Sequence, residues 1–216
     1  MIKIDLHTHS SGSADGGISI DEYRTVLEQG DLDYIAITDH DLISTAQEVQ
    51  GKLGERIIVG QEITTKEGEI IGLYLTKAIK PGMSLLDAVA AVKGQKGLVY
   101  VPHPFETVRS GLSRKSLDNI SDFVDIVEVH NGRAVFQNKG PEAVTWARLH
   151  NKVMASSSDA HGRLGIGGAY SVITKPPTKN NLVDLLQKAH VSTKKAPLLS
   201  LLYPKYHRIR GKLKHK

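Results

Sequence analysis

The sequence predicts an α/β protein in which strands and helices alternate, closed as a βα barrel rather than left as an open sheet. Three observations predict it. Short apolar runs rich in Ile and Val recur between segments of helical periodicity, the pattern of a mainly parallel sheet covered by helices. There are seven such runs, more than one short open sheet needs. The chain has 216 residues, 40% hydrophobic and 24% charged, which suits one large domain with a single core and excludes a disordered or fibrous chain.

The strands are expected at residues 2–6, 34–38, 57–61, 98–101, 126–129, 153–156 and 169–173. Helices are expected at residues 19–29, 44–53, 84–93, 142–151 and 181–190. The first helix opens with a Ser-x-x-Glu capping box, Ser19 and Glu22, and stops at Gly30. Residues 57–65 and 69–75 read as a local hairpin whose turn is Lys66-Glu67-Gly68. No internal repeat or low-complexity block occurs. The start, MIKIDLHTHS, has no apolar stretch of signal-peptide or transmembrane length, so a cytoplasmic protein is expected.

Charge divides the chain. The formal net charge is +5, from 28 Lys and Arg against 23 Asp and Glu. Lys205, Arg208, Arg210, Lys212, Lys214 and Lys216 lie in a C-terminal run with no acidic residue; without these six the chain carries 22 basic against 23 acidic side chains. The body is therefore close to neutral and is not a general nucleic-acid clamp. One domain over residues 1–196 is expected, followed by a basic tail at 197–216 that forms a docked helix with a frayed end.

There is no cysteine, which excludes disulfides, thiolate metal sites and cysteine nucleophiles; any metal must be held by imidazole and oxygen. The residues suited to that fall at the C-terminal ends of expected strands. IKIDLHTHS presents Asp5, His7 and His9 at spacing two, and so on one side of an extended segment. IAITDHD ends in Asp39 and His40, IIVGQE in Glu62, LVYVPHP in His103, IVEVHN in His130, and VMASSSDAH in Asp159 and His161. Six of the ten histidines thus occupy strand ends, which in a parallel barrel converge on one face. A single histidine is more often a surface or hydrogen-bonded core residue; it is the grouping that points to metal. Asp15, in a turn-like Asp-Gly-Gly, joins the set as a ninth candidate. Imidazoles with few carboxylates suit Zn²⁺, Mn²⁺ or Fe²⁺ better than Ca²⁺ or Mg²⁺. Nine candidates are too many for one ion and enough for two or three, an arrangement that favours hydrolysis of phosphate esters.

These motifs resemble the PHP (polymerase and histidinol phosphatase) family of metal-dependent phosphoesterases. DLHTHS, TDHD, VPHP and SSSDAH match its four motifs in order, from residue 5 to residue 161. The resemblance implies a distorted seven-stranded TIM-like barrel with a two- or three-metal site at its C-terminal face. It implies one ion held by His7, His9, Glu62 and Asp159, a second bridged by Glu62 and held by His103 and His130, and a third held by Asp15, His40 and His161. It further implies attack on phosphorus by a metal-bridging hydroxide. His40 or His161, where not saturated by metal, would protonate the leaving alkoxide.

Other residues are expected around that centre. Asp5 and Asp39 lie beside ligands, as acceptors that orient imidazoles or as simple strand-end caps. Arg109 and Arg133, six and three residues after histidines, are candidate phosphate clamps, since a guanidinium forks onto two phosphate oxygens. VPHPFETVRSGL, EVHNGR and GEIIGLYL look most like the short, stand-alone PHP phosphoesterases related to nucleotide phosphatases and small-RNA exonucleases. The expected substrate is a nucleotide, another small phosphorylated metabolite or a short oligonucleotide; no segment between His103 and His130 is long enough for the inserted domain of larger members, which suggests an open site. Two other classes compete. A catalytically silent accessory module would have no need of nine metal-compatible groups, and an amidohydrolase-like enzyme would more often show a bridging lysine, which no strand end carries.

Overall fold

The computed structural model describes residues 1–135, 137–193 and 197–214, the side chains of 211–214 excepted. Among these residues, nine strands form one sheet: β1 (Ile2–Thr8), β2 (Tyr34–Ile37), β3 (Ile57–Thr64), β4 (Glu69–Leu73), β5 (Leu98–Val101), β6 (Ile126–Asn131), β7 (Val153–Ser157), β8 (Tyr170–Ile173) and β9 (His190–Ser192). Their order is β7-β6-β5-β4-β3-β2-β1-β8-β9. The runs β1-β2-β3 and β5-β6-β7 are parallel. β4, β8 and β9 pair antiparallel with their neighbours.

The sheet curls until its two sides meet. Past β7 the chain runs beside β1, where the Asp159 amide donates to the His7 carbonyl at 2.9 Å and the His9 amide to the Ala160 carbonyl at 2.8 Å. The result is an α/β, nearly closed, barrel-like sheet. It departs from the expected seven strands in two places. The second arm of the β3–β4 hairpin is a full staple between β3 and β5, so it enters the barrel wall rather than standing apart. His190, expected at the end of a helix, instead begins β9, because the helix before it ends at Gln187.

Among the described residues, six helices cover the strands: α1 (Ile20–Glu28), α2 (Ser44–Leu53), α3 (Leu85–Gly94), α4 (Arg114–Asn119), α5 (Gly140–Leu149) and α6 (Leu182–Gln187). α1 begins with the Ser19–Glu22 capping box, the Glu22 amide donating to Ser19 Oγ and the Ser19 amide to Glu22 Oε2 at 2.8 Å. It ends before Gly30, whose φ of +70° is the left-handed conformation glycine tolerates best. Alternation along the strands sorts the core into two layers. Ile35, Ile37, Val59, Val99, Val101 and Val127 pack on helical residues such as Tyr23, Val49, Val92 and Trp146. Ile4, Leu6, Ala36, Ile58, Tyr100, Ile126 and Ala155 fill the inside, joined by Leu182 and Leu186 of α6. A seventh helix, α7 (Tyr203–Lys214), lies in the basic tail. The boundary expected at residue 196 and the tail end at residues 215–216 lie outside the described residues. No helix among the described residues is long and apolar enough to cross a membrane.

Candidate metal centre

The C-terminal ends of β1, β2, β3, β5 and β7 deliver polar side chains to one point, and Glu62 of β3 is its middle. Glu62 Oε2 lies 3.4 Å from His7 Nε2, 3.2 Å from His9 Nε2 and 3.3 Å from His40 Nδ1. Glu62 Oε1 lies 3.1 Å from His103 Nε2. Asp159 approaches from the other side, with Oδ1 3.6 Å from the Nε2 of both His7 and His9 and 3.4 Å from His161 Nδ1. Asp15 closes the far end, 3.7 Å from His40 and 3.6 Å from His161. The Nε2 atoms of His7 and His9 are only 3.1 Å apart.

These atoms form four overlapping groups, each compact enough to surround an ion. They are His7 with Glu62 and His103; His7, His9 and Asp159; His9, Asp15, His40 and His161; and His40, Glu62 and Glu69. Nearly all of these side chains are buried, His40 being the most open at 29%. Burying so many ionisable groups against one another is costly unless something of opposite charge joins them. His9 Nδ1 and His103 Nδ1 are also buried with no hydrogen-bond partner among the described residues. A set of imidazoles and carboxylates with these deficits fits divalent cations.

Charge follows the geometry. Burial alone would raise the Glu62 carboxyl, but the imidazoles of His7, His40 and His103 outweigh it and hold the group well below the carboxylate range. Burial likewise opposes ionisation of Asp159, and Arg133, His7, His161 and Arg109 together override it. Burial, aided by His9, pushes His161 down to about 3. Backbone strain gathers here too. His103 has φ +29° and Asp159 φ +52°, conformations a side-chain-bearing residue adopts only when its surroundings demand them.

His130 does not join the cluster. It is half-buried and lines an outer depression with Pro141, Val144 and Val191. The register of β6 against β7 slips between Glu128 and His130, two residues advancing for one, so the alternation that would bring His130 inward is broken. Asn131 turns in instead, donating to Glu128 Oε2 at 2.8 Å. Asp5 and Asp39 do not orient imidazoles either. Asp5 Oδ1 accepts from the amides of His7 and Ser158, and Asp39 accepts from the amide and hydroxyl of Ser10, so both fasten backbone at strand ends.

Sequence reasoning missed Glu128 and Glu69. Glu128 Oε1 is 3.2 Å from His7 Nδ1, and the carboxylate also accepts from Tyr100 Oη at 2.9 Å and the His103 amide at 2.7 Å. It therefore fixes the ring of His7 and the backbone of His103 together. Its signal was an acidic residue inside an otherwise apolar strand. Glu69 opens β4 opposite Thr64, which sets it beside Glu62 and His40. Burial and the nearby Glu62 push its carboxyl up to about 9.

Arg109 and Arg133 line the same cavity, of about 320 Å³. Arg109 donates to Glu106, to Asn131 Oδ1 at 2.5 Å and to Asp159 Oδ2 at 2.7 Å. Arg133 Nη1 lies 3.3 Å from Asp159 Oδ1 and 3.2 Å from His161 Nδ1, while its Nε is buried with no partner among the described residues. A third arginine comes from the tail: Arg208 of α7 donates to Asp15 Oδ2 at 2.6 Å.

A barrel-like sheet whose strand ends crowd imidazoles and carboxylates around one cavity defines a scaffold suited to holding metal ions. Comparison with known proteins gives the family: residues 5–189 match the PHP domain, and the chain belongs to that family. Two uncharacterized proteins of Methanocaldococcus jannaschii are similar in sequence. MJ0417 is 33% identical over 180 residues, spanning 78% of this chain and 69% of that protein, and MJ1587 is 31% identical over 150 residues, spanning 63% and 88%. Among solved structures, a two-domain protein of Bacteroides vulgatus containing a predicted PHP-like metal-dependent phosphoesterase superposes with TM-score 0.70 at 21% identity, over 96% of this chain and 69% of that one. PsfC of Pseudomonas syringae gives 0.67 at 14% identity, over 99% and 98%. A lesion-specific endonuclease of Pyrococcus furiosus gives 0.64 at 14% identity, over 88% and 57%. These structural likenesses speak to the fold.

Proposed function

We propose that this protein hydrolyses phosphate esters, acting on a nucleotide or another small phosphorylated metabolite with two or three divalent ions of the Mn²⁺, Zn²⁺ or Fe²⁺ type. The observation that carries the reading is the convergence of four imidazoles on the Glu62 carboxylate, in a cavity also lined by three arginines. His7, His9, Glu62 and Asp159 would hold one ion, Glu62 and His103 a second, and Asp15, His40 and His161 a third, with Glu69 beside the latter two. Ions bound there supply positive charge to the phosphoryl oxygens and make water a stronger nucleophile.

The chain's own groups do the positioning. Glu128 holds His7 Nδ1 and thereby aims Nε2 at the cavity. Glu106 and Asn131 fix the Arg109 guanidinium at the cavity wall. Arg109 and Arg133 there meet phosphate oxygens as the charge on them grows. Burial lowers both His40 and His161, so each presents a neutral ring nitrogen, suited to holding an ion more than to protonating a leaving alkoxide.

A second reading, exonucleolytic cleavage of short oligonucleotides, is favoured by the basic helix at the cavity rim; the Pyrococcus furiosus neighbour is itself named a lesion-specific endonuclease. An amidohydrolase reading has less support, because no lysine is among the described residues lining the cavity. The test is metal content of protein purified without chelator, paired with phosphate release from a nucleotide panel in Mn²⁺. Two or three ions per chain with phosphate release is the expected result. Bound ions without release would leave the metal site standing and point to a diester or another phosphorylated substrate, and no ion under any loading condition would overturn the reading.

A further inference from the structure

Helix α7 and the short 3-10 helix before it, Leu198–Leu202, have one face committed to the barrel. Ser200 and Pro204 are buried. Tyr203 lies so near Gly162 that a Cβ there would sit 2.6 Å from its ring, and His207 rests on Gly17 in the same way. Pro204 and Arg208 line the metal cavity, where Arg208 is bound to Asp15. Helical periodicity puts Leu202, Tyr206 and Ile209 on the opposite side, in one stripe at spacings of four and three residues. Together with Leu198 and Leu199 they are 51–71% exposed, and they make up five of the twelve large apolar side chains exposed among the described residues. Such residues scattered singly need no explanation, whereas a contiguous stripe marks a surface that something covers.

The stripe is bordered by cations. Lys205 falls on one side of it and Arg210 on the other, and neither forms an ion pair with a described carboxylate. Beyond Asp184 the sequence has no acidic residue, but it has nine Lys and Arg, from Lys188 to Lys216. A second copy of the chain would bury the apolar stripe, yet it would set these cations against the same charges. A nucleic acid would take the charge and stack on Tyr206, yet it would leave the leucines and Ile209 in water. A bilayer with anionic headgroups satisfies both halves of the pattern. Its acyl boundary takes the leucines and Ile209, tyrosine suits the headgroup level, and the headgroups take the flanking cations.

We propose that the outer face of residues 198–209 docks on an anionic lipid surface, with α7 lying in the plane of the headgroups. The proposal does not depend on what the metal cavity hydrolyses. Because Pro204 and Arg208 lie on the other side of the same helix, the cavity wall would stand about 10 Å, one helix diameter, from the lipid.

The test is flotation of the full chain with two kinds of vesicle, phosphatidylcholine alone and phosphatidylcholine with phosphatidylglycerol in equal parts. Wild-type protein should partition onto the mixed vesicles at least about tenfold more strongly than onto phosphatidylcholine, and added salt should shrink that excess. Leu202→Ser combined with Ile209→Ser alters no charge and should lower partitioning at least about tenfold. Lys205→Gln combined with Arg210→Gln keeps the stripe and should lower it roughly fivefold for each charge. All four side chains are exposed, so their replacement spares the fold, which an unchanged melting temperature checks. Absence of partitioning onto the mixed vesicles overturns the proposal. So does partitioning that the double serine variant retains, because charge alone would then hold the protein. Two other results in place of vesicle binding also overturn it. Self-association that the serine variant abolishes assigns the stripe to a second copy, and binding of a single-stranded oligonucleotide that the glutamine variant weakens assigns the charge to nucleic acid.

Discussion

β1 and β6 carry the same kind of signal and fold to different ends. Both hold histidine near the C-terminal end, and both slip register there, β1 against β2 between Asp5 and Thr8 and β6 against β7 between Glu128 and His130. At the end of β1, His7 and His9, the latter one residue past the strand, stay together with their Nε2 atoms 3.1 Å apart, while Asp5 turns to backbone amides. On β6 the slip sends His130 outward and brings Asn131 in, leaving Glu128 as the strand's contribution to the centre. Spacing of two residues places side chains on one face only while the pleat is unbroken, and a bulge at a barrel rim is one of the commoner ways to re-aim a side chain.

The sharpest way to break this picture is at Glu62, where the inputs of β1, β2, β3 and β5 meet. Glu62→Gln keeps the shape and removes the charge that four imidazoles face. Phosphate release should fall by at least about 10²–10³-fold, the scale of losing one transition-state stabiliser, and bound metal per chain should drop. Near-normal turnover would remove Glu62 from the centre.

Glu128 tests β6 directly. Glu128→Gln weakens the hold on His7 Nδ1 and on the His103 amide, and metal affinity measured by titration should fall roughly 10- to 100-fold, as for other groups that orient a ligating imidazole. Rings held only by packing would show no change. Glu69→Ala sharpens the comparison from the hairpin side. It removes one member of the group formed with His40 and Glu62, and affinity for an ion held by that group should fall by about tenfold.

The legible part of the centre was the part that strand ends announce. His7, His9, His40, Glu62, His103, Asp159 and His161 each follow an apolar run, and the topology of parallel strands gathers such positions without further information. Glu128 was hidden because a lone acidic residue in a strand reads as its solvent face, and only the curling of the sheet makes that face the interior. Glu69 was hidden because it reads as the exit of a turn; antiparallel pairing of β4 with β3 is what lays it beside Glu62. The seven-strand count fell short because the hairpin arm, legible at residues 69–75, reads as a local pairing outside the barrel, and because a three-residue strand such as β9 carries little periodicity of its own. Arg208 lies in a charged tail whose sequence gives no hint of which part of the surface it covers.

The smallest effect is expected at His130, and it decides between spacing and register. A ligand role predicts that His130→Ala loses an ion and most of the activity. The observed register predicts otherwise: the ring lines a depression against α5 with Pro141 and Val144, and its loss removes packing and whatever contact the ring makes there without touching Glu62 or His103. Metal content and turnover should stay within about twofold of wild type, while the melting temperature drops by a few degrees, the scale of roughly 1 kcal/mol in a domain of this size. The matching change on β1, His7→Ala, should strip metal from the same protein without needing to unfold it, because His7 shares its Nε2 surroundings with Glu62, His9 and Asp159. If the two alanine variants behave alike, β6 does not slip in solution as it does here, and the inward turn of Asn131 is wrong with it.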